Sequence, residues 1–541
     1  MNQKVHSERE HFFGAAKIVA SLTMLSRVLG LVRDMVIVPL GSAVLADRFW
    51  TAFSVPNLFR RLFGEGAISA AFVPVFTEVA ESEGWDRARL VLANVAGILA
   101  AVLGGLVVLI ELGLWAAWTV WGDEWTRLVL LQLTGLMLPF MFTVCLLALG
   151  SAALNCRGHF AYPAFAPIIL NVGLIVTAGL FAPALARYDA QQFYIIALGL
   201  LATGLVQLVG VIWLLRRAGL AAVPRLRPVL AETKKIARLM APMVIPLSIL
   251  QLSAFADRLL ALIFTATARY PSLPLRDGIV RCLYAANRLY QLPLGVLAIS
   301  IATVVFPLFS RYAARNDTGA LRSATNRALR LGAFLGIPAG TALILLAGPA
   351  TAMIFQRKNF TAFDTARAAF ILQMYCLGMW AYFWNHVLLR AFFAQKDTRT
   401  PLILSVILAG VNLLLVVVGI FTPLRGGAIG LATAVTSSVN AIVLLGVLHR
   451  RWGGIGGGDL VGSAARSLLA CMVMAVVLVL LRWQLAQAAA ADWLILLACV
   501  PAGAAAFLLA ARLLRAPELA ELWGALRKGA DETTHQAGRN V

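Results

Sequence analysis

The chain has 541 residues, 61% of them hydrophobic and only 13% charged, with a mean hydropathy of +0.85. A soluble domain carries about 25% charged residues, so this composition excludes a water-soluble globular protein and points to the bilayer. The net charge of +21 fits the same reading, because membrane proteins gather Lys and Arg in cytoplasmic loops, and no nucleic-acid partner is needed to explain it.

Residues 1–14 (MNQKVHSEREHFFG) are polar and lack the apolar core and cleavage site of a signal peptide, so they are expected to stay as a cytoplasmic tail. Apolar runs long enough to span a bilayer then follow one another. Spans are predicted at 15–43, 49–78, 90–121, 128–153, 160–184 and 190–215, forming an N-terminal lobe over 15–215. A basic cytoplasmic linker at 216–238 follows, where Arg216, Arg217, Arg225, Arg227, Lys234, Lys235 and Arg238 meet one acid, Glu232. The C-terminal lobe, 236–448, holds spans at 236–266, 279–310, 328–355, 368–394, 401–421 and 426–448. Two further spans at 464–482 and 492–514 precede a tail at 515–541. The prediction is an all-α polytopic membrane protein of fourteen transmembrane helices, in two parallel six-helix lobes plus two C-terminal helices. The excess of Lys and Arg in alternate loops, the linker above all, puts both termini in the cytoplasm.

An internal repeat supports the two lobes. Ala67-Ile68-Ser69-Ala70-Ala71 before Phe72-Val73-Pro74 matches Ala298-Ile299-Ser300-Ile301-Ala302 before Val305-Phe306-Pro307, and Arg33-Asp34 has a loose echo in Asp257-Arg258. Repeated lobes are a transporter plan, with the substrate site at the midplane between them.

The first two spans carry charges at membrane depth: Arg27, Arg33 and Asp34, then Arg60, Arg61 and Glu65. An arginine at the centre of a lipid-exposed helix costs about 2.5–3.5 kcal/mol on insertion scales, so the cluster implies a watery cavity or a dedicated anion. Arg33 has Asp34 beside it, and Arg61 has Glu65 at i,i+4, a spacing that pairs charges. Arg27 and Arg60 have no such local acid and are read as cavity-facing. Arg27 and Arg33 project about 120° apart on a straight helix, and Gly30 and Pro39 give the chain means to bend. Arg288 in span 8, between the neutral Asn287 and Gln291, is a third candidate. A surplus of guanidinium groups favours an anionic, phosphate-like substrate.

Other chemistry is missing from the sequence. It has no P-loop; its six His and six Cys are scattered without metal or disulfide spacing; His386 is read as packed or pore-lining. Gly453–Gly457 is a flexible turn, and Asp397 caps or turns the chain before span 11.

SRVLGLVRD (26–34), VPNLFRRLFGEGAISAAFVP (55–74), FAYPAFAPIILN (160–171), ANRLYQLPLGVLAISIATVVFP (286–307) and AFFAQKDTRTP (391–401) resemble the MurJ (MviN) family of lipid II flippases. The resemblance implies transport of undecaprenyl-diphosphate-linked muropeptide from the cytoplasmic to the periplasmic leaflet of the bacterial inner membrane, by alternating access and without catalysis. It implies that Arg27, Arg33, Arg60 and Arg288 bind substrate, and that Ser26, Asp34, Asp47, Asn57, Arg61, Glu65, Asp257 and Arg258 serve gating or ion pairing. No cofactor is expected; coupling to the membrane potential or a monovalent cation is. Asn287 and Gln291 depart from a family pattern with acids there. The expected partners are lipid II, membrane lipids and the cell-wall synthesis machinery, with the chain itself monomeric. The rival readings are a related exporter of another polyprenyl-linked glycan or a drug, and a membrane enzyme acting on polyprenyl-phosphate sugars.

Overall fold

The computed structural model describes residues 2–62, 68–121, 125–221, 223–267 and 270–522. Among these the regular structure is helical, apart from an isolated bridge between Thr265 and Leu275. Every predicted span is occupied by helix, in one to three successive segments, and among the described residues ten of them are long and apolar enough to cross a membrane. The other four are spans 1, 2, 7 and 10.

The chain folds into two compact units. The first comprises the described residues up to Arg281 together with Arg357–Phe360, and the second the remainder. In the first unit the helices are α1 (Asn2–Ile37), α2 (Ala43–Phe59), α3 (Ile68–Ser82), α4 (Trp85–Trp121), α5 (Trp125–Met137), α6 (Phe140–Cys156), α7 (Ala161–Val176), α8 (Ala182–Leu185), α9 (Asp189–Arg217) and α10 (Ala231–Ile263). Helix α1 starts at Asn2, so the expected N-terminal tail is helical and continuous with span 1. Helix α1 runs without a break in helical assignment through Gly30 and ends at Ile37, before Pro39. Span 4 is split into α5 and α6 at Pro139, whose ring removes a backbone donor. Span 5 passes through a π turn at Thr177–Phe181, a distortion that leaves backbone groups re-aimed.

Helix α10, the first span of the expected C-terminal lobe, packs on α2, α3 and α4 and falls in the first compact unit. Ion pairs at its start explain this: Glu232 takes Arg87 at 2.6 Å and Lys235 takes Glu78 at 2.7 Å. The basic linker is also fastened there. Asn94, buried on α4, donates to the carbonyls of Arg225 and Pro228 and accepts from Leu230 N and Thr233 Oγ1. Arg225 N donates to Ala93 O, and the linker backbone passes so near Gly97 that a Cβ there would lie 2.5 Å from Arg225 O.

The second unit contains the rest of α11 (Ile279–Pro293), α12 (Ile299–Ala314), α13 (Thr318–Phe355), α14 (Ala362–Cys376), α15 (Met379–Ala394), α16 (Arg399–Ile420), α17 (Gly427–Arg451), α18 (Gly457–Gln487) and α19 (Asp492–Leu513). Its long α13 packs on α15, α18 and α19 around Phe334, Leu346, Met474, Leu478 and Phe507. The tail's first residues extend that core through Ala516, Leu519 and Leu522, and buried Glu518 lies 3.4 Å from Arg330. The glycine turn before α18 is held by Asn326, which donates to Gly456 O; Gly456 has φ of +73°, open to glycine at little cost. Asp397 takes Thr400 N and Thr400 Oγ1 and pairs with Arg451 at 2.7 Å, the turn expected of it.

Candidate functional site

In the first unit the charged segment of α1 packs on α7. Arg33, 12% exposed, sends Nε and Nη2 to one carboxylate oxygen of fully buried Asp34, at 2.9 and 2.7 Å. Its Nη1 donates to Asn171 Oδ1 at 3.1 Å. The amide of Asn171 turns back to α1, donating to Ser26 O at 2.9 Å and to Ser26 Oγ at 3.4 Å. Ser26, Arg33, Asp34 and Asn171 therefore form one network, with three members from a single stretch of α1. Asn171 was not singled out from the sequence, though it closes the FAYPAFAPIILN stretch as its one amide. Arg27 is exposed on another side of α1, as the angular offset requires.

Along span 2, α2 gives way to a π turn at 60–62. Arg60 donates from Nε to Asn57 Oδ1 at 3.2 Å, and Asn57 Nδ2 donates to Phe53 O. Arg61 reaches α10, donating to Gln251 Oε1 at 3.1 Å. Its expected partner Glu65 lies outside the described residues. Asp257 is buried and Arg258 half-buried near the end of α10.

Asp47 has a structural task the sequence did not suggest. Its carboxylate, 1% exposed, accepts from Gly278 N at 2.8 Å and Arg281 N at 2.9 Å, at the chain segment that ends the first unit. This satisfies first-turn donors that a helix start leaves open. The buried Arg281 guanidinium lies 5.2 Å from the Phe360 ring centroid, a cation–π contact within the same unit.

In the second unit Arg288 is half-buried on α11. Gln291 Nε2 donates to Asn287 Oδ1, so the two neutral residues satisfy each other. Tyr290 stacks on Tyr375 at 4.7 Å and tilts against Tyr382 at 5.5 Å, fixing α11 to α14 and α15. A separate, largely apolar cavity of about 420 Å³ is lined by Gly336, Gly340, Thr341, Trp380, Trp384 and Leu468, from α13, α15 and α18. Trp384 is held by donating Nε1–H to Leu329 O. Among the described residues no group of three or more His, Cys, Asp or Glu is placed to hold a metal.

A helical chain with ten stretches among the described residues long and apolar enough to cross a membrane, guanidinium and carboxylate groups networked within one unit and an apolar cavity within the other has the make-up of a multi-pass transporter. Two solved structures share its fold. One described as lipid II flippase MurJ in an inward closed conformation matches with TM-score 0.72 at 22% identity, covering 92% of this chain and 98% of that one. An inward-facing multidrug resistance MATE family transporter of the MOP superfamily matches with TM-score 0.63 at 17% identity, covering 81% and 98%. The family model described as lipid II flippase MurJ matches residues 38–498, and the chain belongs to that family. A probable lipid II flippase MurJ of Vibrio cholerae is 32% identical over 446 residues, 80% of this chain and 81% of the relative. One from Rhizobium meliloti is 32% identical over 493 residues, covering 88% and 86%. Membership makes this a multi-pass protein of the bacterial inner membrane, in a family of transporters and not of enzymes.

Proposed function

We propose that the chain is a lipid II flippase, carrying undecaprenyl-diphosphate-linked muropeptide from the cytoplasmic to the periplasmic leaflet by alternating access. One observation carries this reading: the Ser26–Arg33–Asp34–Asn171 network, a guanidinium fixed at membrane depth in a chain of this family. A diphosphate carries about two negative charges, and taking an anion into hydrocarbon unaided is prohibitive. Arg27, Arg33, Arg60 and Arg288 offset that cost by charge-assisted, bidentate bonds to the phosphate oxygens. Asn171 and Asp34 aim the Arg33 fork, so little side-chain entropy is lost on binding. The polyprenyl tail stays in an apolar path, for which the cavity between α13, α15 and α18 has the right lining.

No group of this chain makes or breaks a bond in the proposed cycle; its work is charge neutralisation and exposure of the site to each side in turn. The energy comes from the membrane potential or a monovalent cation. Both termini are cytoplasmic, and the chain acts as a monomer with cell-wall synthesis proteins as neighbours. The reading is tested by reconstituting the purified protein in vesicles with lipid II added to one leaflet and measuring its appearance on the other. Transfer is expected with wild type and absent with Arg33→Ala or Arg60→Ala. Equal transfer by these variants would contradict the arginine assignment, and no transfer by wild type would point to a different polyprenyl-linked cargo.

A further inference from the structure

Helix α4 holds a charge that the transport reading leaves unused. Glu111, itself half-buried, lies at the edge of an outward face on which Val108, Leu109, Leu112 and Trp115 are 58–66% exposed. At 1.5 Å per residue it sits about 21 Å beyond Gly97, where the cytoplasmic linker crosses α4, and about 10 Å short of Trp118. That depth is inside a hydrocarbon layer about 30 Å thick. Glu111 has no hydrogen-bond or ion-pair partner among the described residues. Its carboxylate rests against α5 at Gly135, where a Cβ would lie 2.9 Å from Oε2. The glycine makes room for the carboxylate in the seam between α4 and α5 and offers no donor. An ionisable group at membrane depth is costly, and its usual compensation is an opposite charge.

We propose that the outward face of α4 is a docking surface for a partner transmembrane helix bearing a lysine or arginine at the depth of Glu111. Charge complementarity selects this occupant over acyl chains, which give a carboxylate nothing. The face permits close approach, since Gly104, two turns before Glu111 and on its side of the helix, is open: a Cβ there would meet no atom within 4 Å, and helices associate in bilayers by such close packing together with polar contacts.

The test uses the full-length protein in phosphatidylcholine vesicles, donor-labelled at the C-terminus. The probes are acceptor-labelled synthetic Leu/Ala helices with Arg, Leu or Glu at the matching depth. The Arg helix is expected to bind about tenfold more tightly than the Leu helix, and the Glu helix no better than Leu. Glu111→Gln should erase the Arg preference, and Glu111→Arg should transfer it to the Glu helix. The wild-type comparison alone is decisive should either variant fold poorly. Equal binding of all three helices, meaning that lipid alone covers α4, would overturn the proposal. So would an Arg preference surviving in Glu111→Gln, or energy transfer between two labelled copies that the Arg helix does not displace. Lipid II transfer by Glu111→Gln should equal wild type, which separates this result from the flippase reading.

Discussion

The guanidinium of Arg33 is divided between a carboxylate and an amide, and that division fixes its plane. Arg33→Lys keeps the charge but replaces a fork with a point donor. It is expected to insert normally and to transfer lipid II at least about tenfold more slowly, since one good charge-assisted bond is worth about 1.5–3 kcal/mol. Arg33→Ala should abolish transfer while the protein still reaches the membrane, read by immunoblot of the membrane fraction beside the transport assay; full transfer by Arg33→Ala would remove this residue from the site. Asp397 supplies a pH test. Burial pushes its carboxyl up, but the N–H and hydroxyl of Thr400 and the Arg451 guanidinium outweigh that and hold it below the usual carboxylate range. A depressed folded value means the stabilisation is complete above the unfolded value near 4 and is lost as pH falls through the folded value. Asp397→Asn should therefore lower the unfolding midpoint in detergent at pH 7, by under about 1 kcal/mol because Arg451 is 40% exposed. The gap to wild type should narrow as pH falls below about 4, and a gap that widens on acidification would refute the assignment. At this scale the sequence was legible only where partners are local: Arg33, Asp34 and Ser26 share one stretch of α1. Asn171 is a polar residue in an apolar run, and nothing in such a run says which helix it faces. Asp47 is 231 residues from Gly278, beyond any periodicity.

Among the elements, each span was readable from hydropathy because ~20 apolar residues admit little besides a membrane helix. The breaks were less so. Pro139 marks one, but the π turns at Thr177–Phe181 and 60–62 come from packing and not from any residue type. That α10 packs with the first compact unit was not legible, because a charge run reads as a free cytoplasmic linker. Asn94, Arg87 and Glu78 turn that run into a strap fastened to α3 and α4. Gly97→Val tests the strap: its side chain must displace the Arg225 backbone, at a cost of about 1–3 kcal/mol. The expected result is faster tryptic cleavage after Arg225 with α4 still membrane-inserted. Unchanged cleavage would mean that the linker is not held there. Glu111 escaped notice for a related reason, as one acid in a 37-residue helix barely moves its mean hydropathy.

For the molecule as a whole, composition alone excluded a soluble protein, and the motif stretches identified the family before any contact was known. Function at this scale depends on charge meeting charge inside a bilayer, which composition cannot locate. On the proposed orientation, with both termini in the cytoplasm, alkaline phosphatase fused after Val541 should be inactive in cells, whereas fusion in the 13–14 loop at Ala489 should be active; the reverse pattern would invert the whole topology. The most direct test of the central claim is rescue of a bacterial strain depleted of its own lipid II flippase, scored by lipid II accessible on the outer leaflet. Wild type is expected to restore growth and external lipid II, and Arg27→Ala, Arg33→Ala and Arg60→Ala to restore neither. Rescue by all three variants, or none by the wild-type chain, would contradict the account.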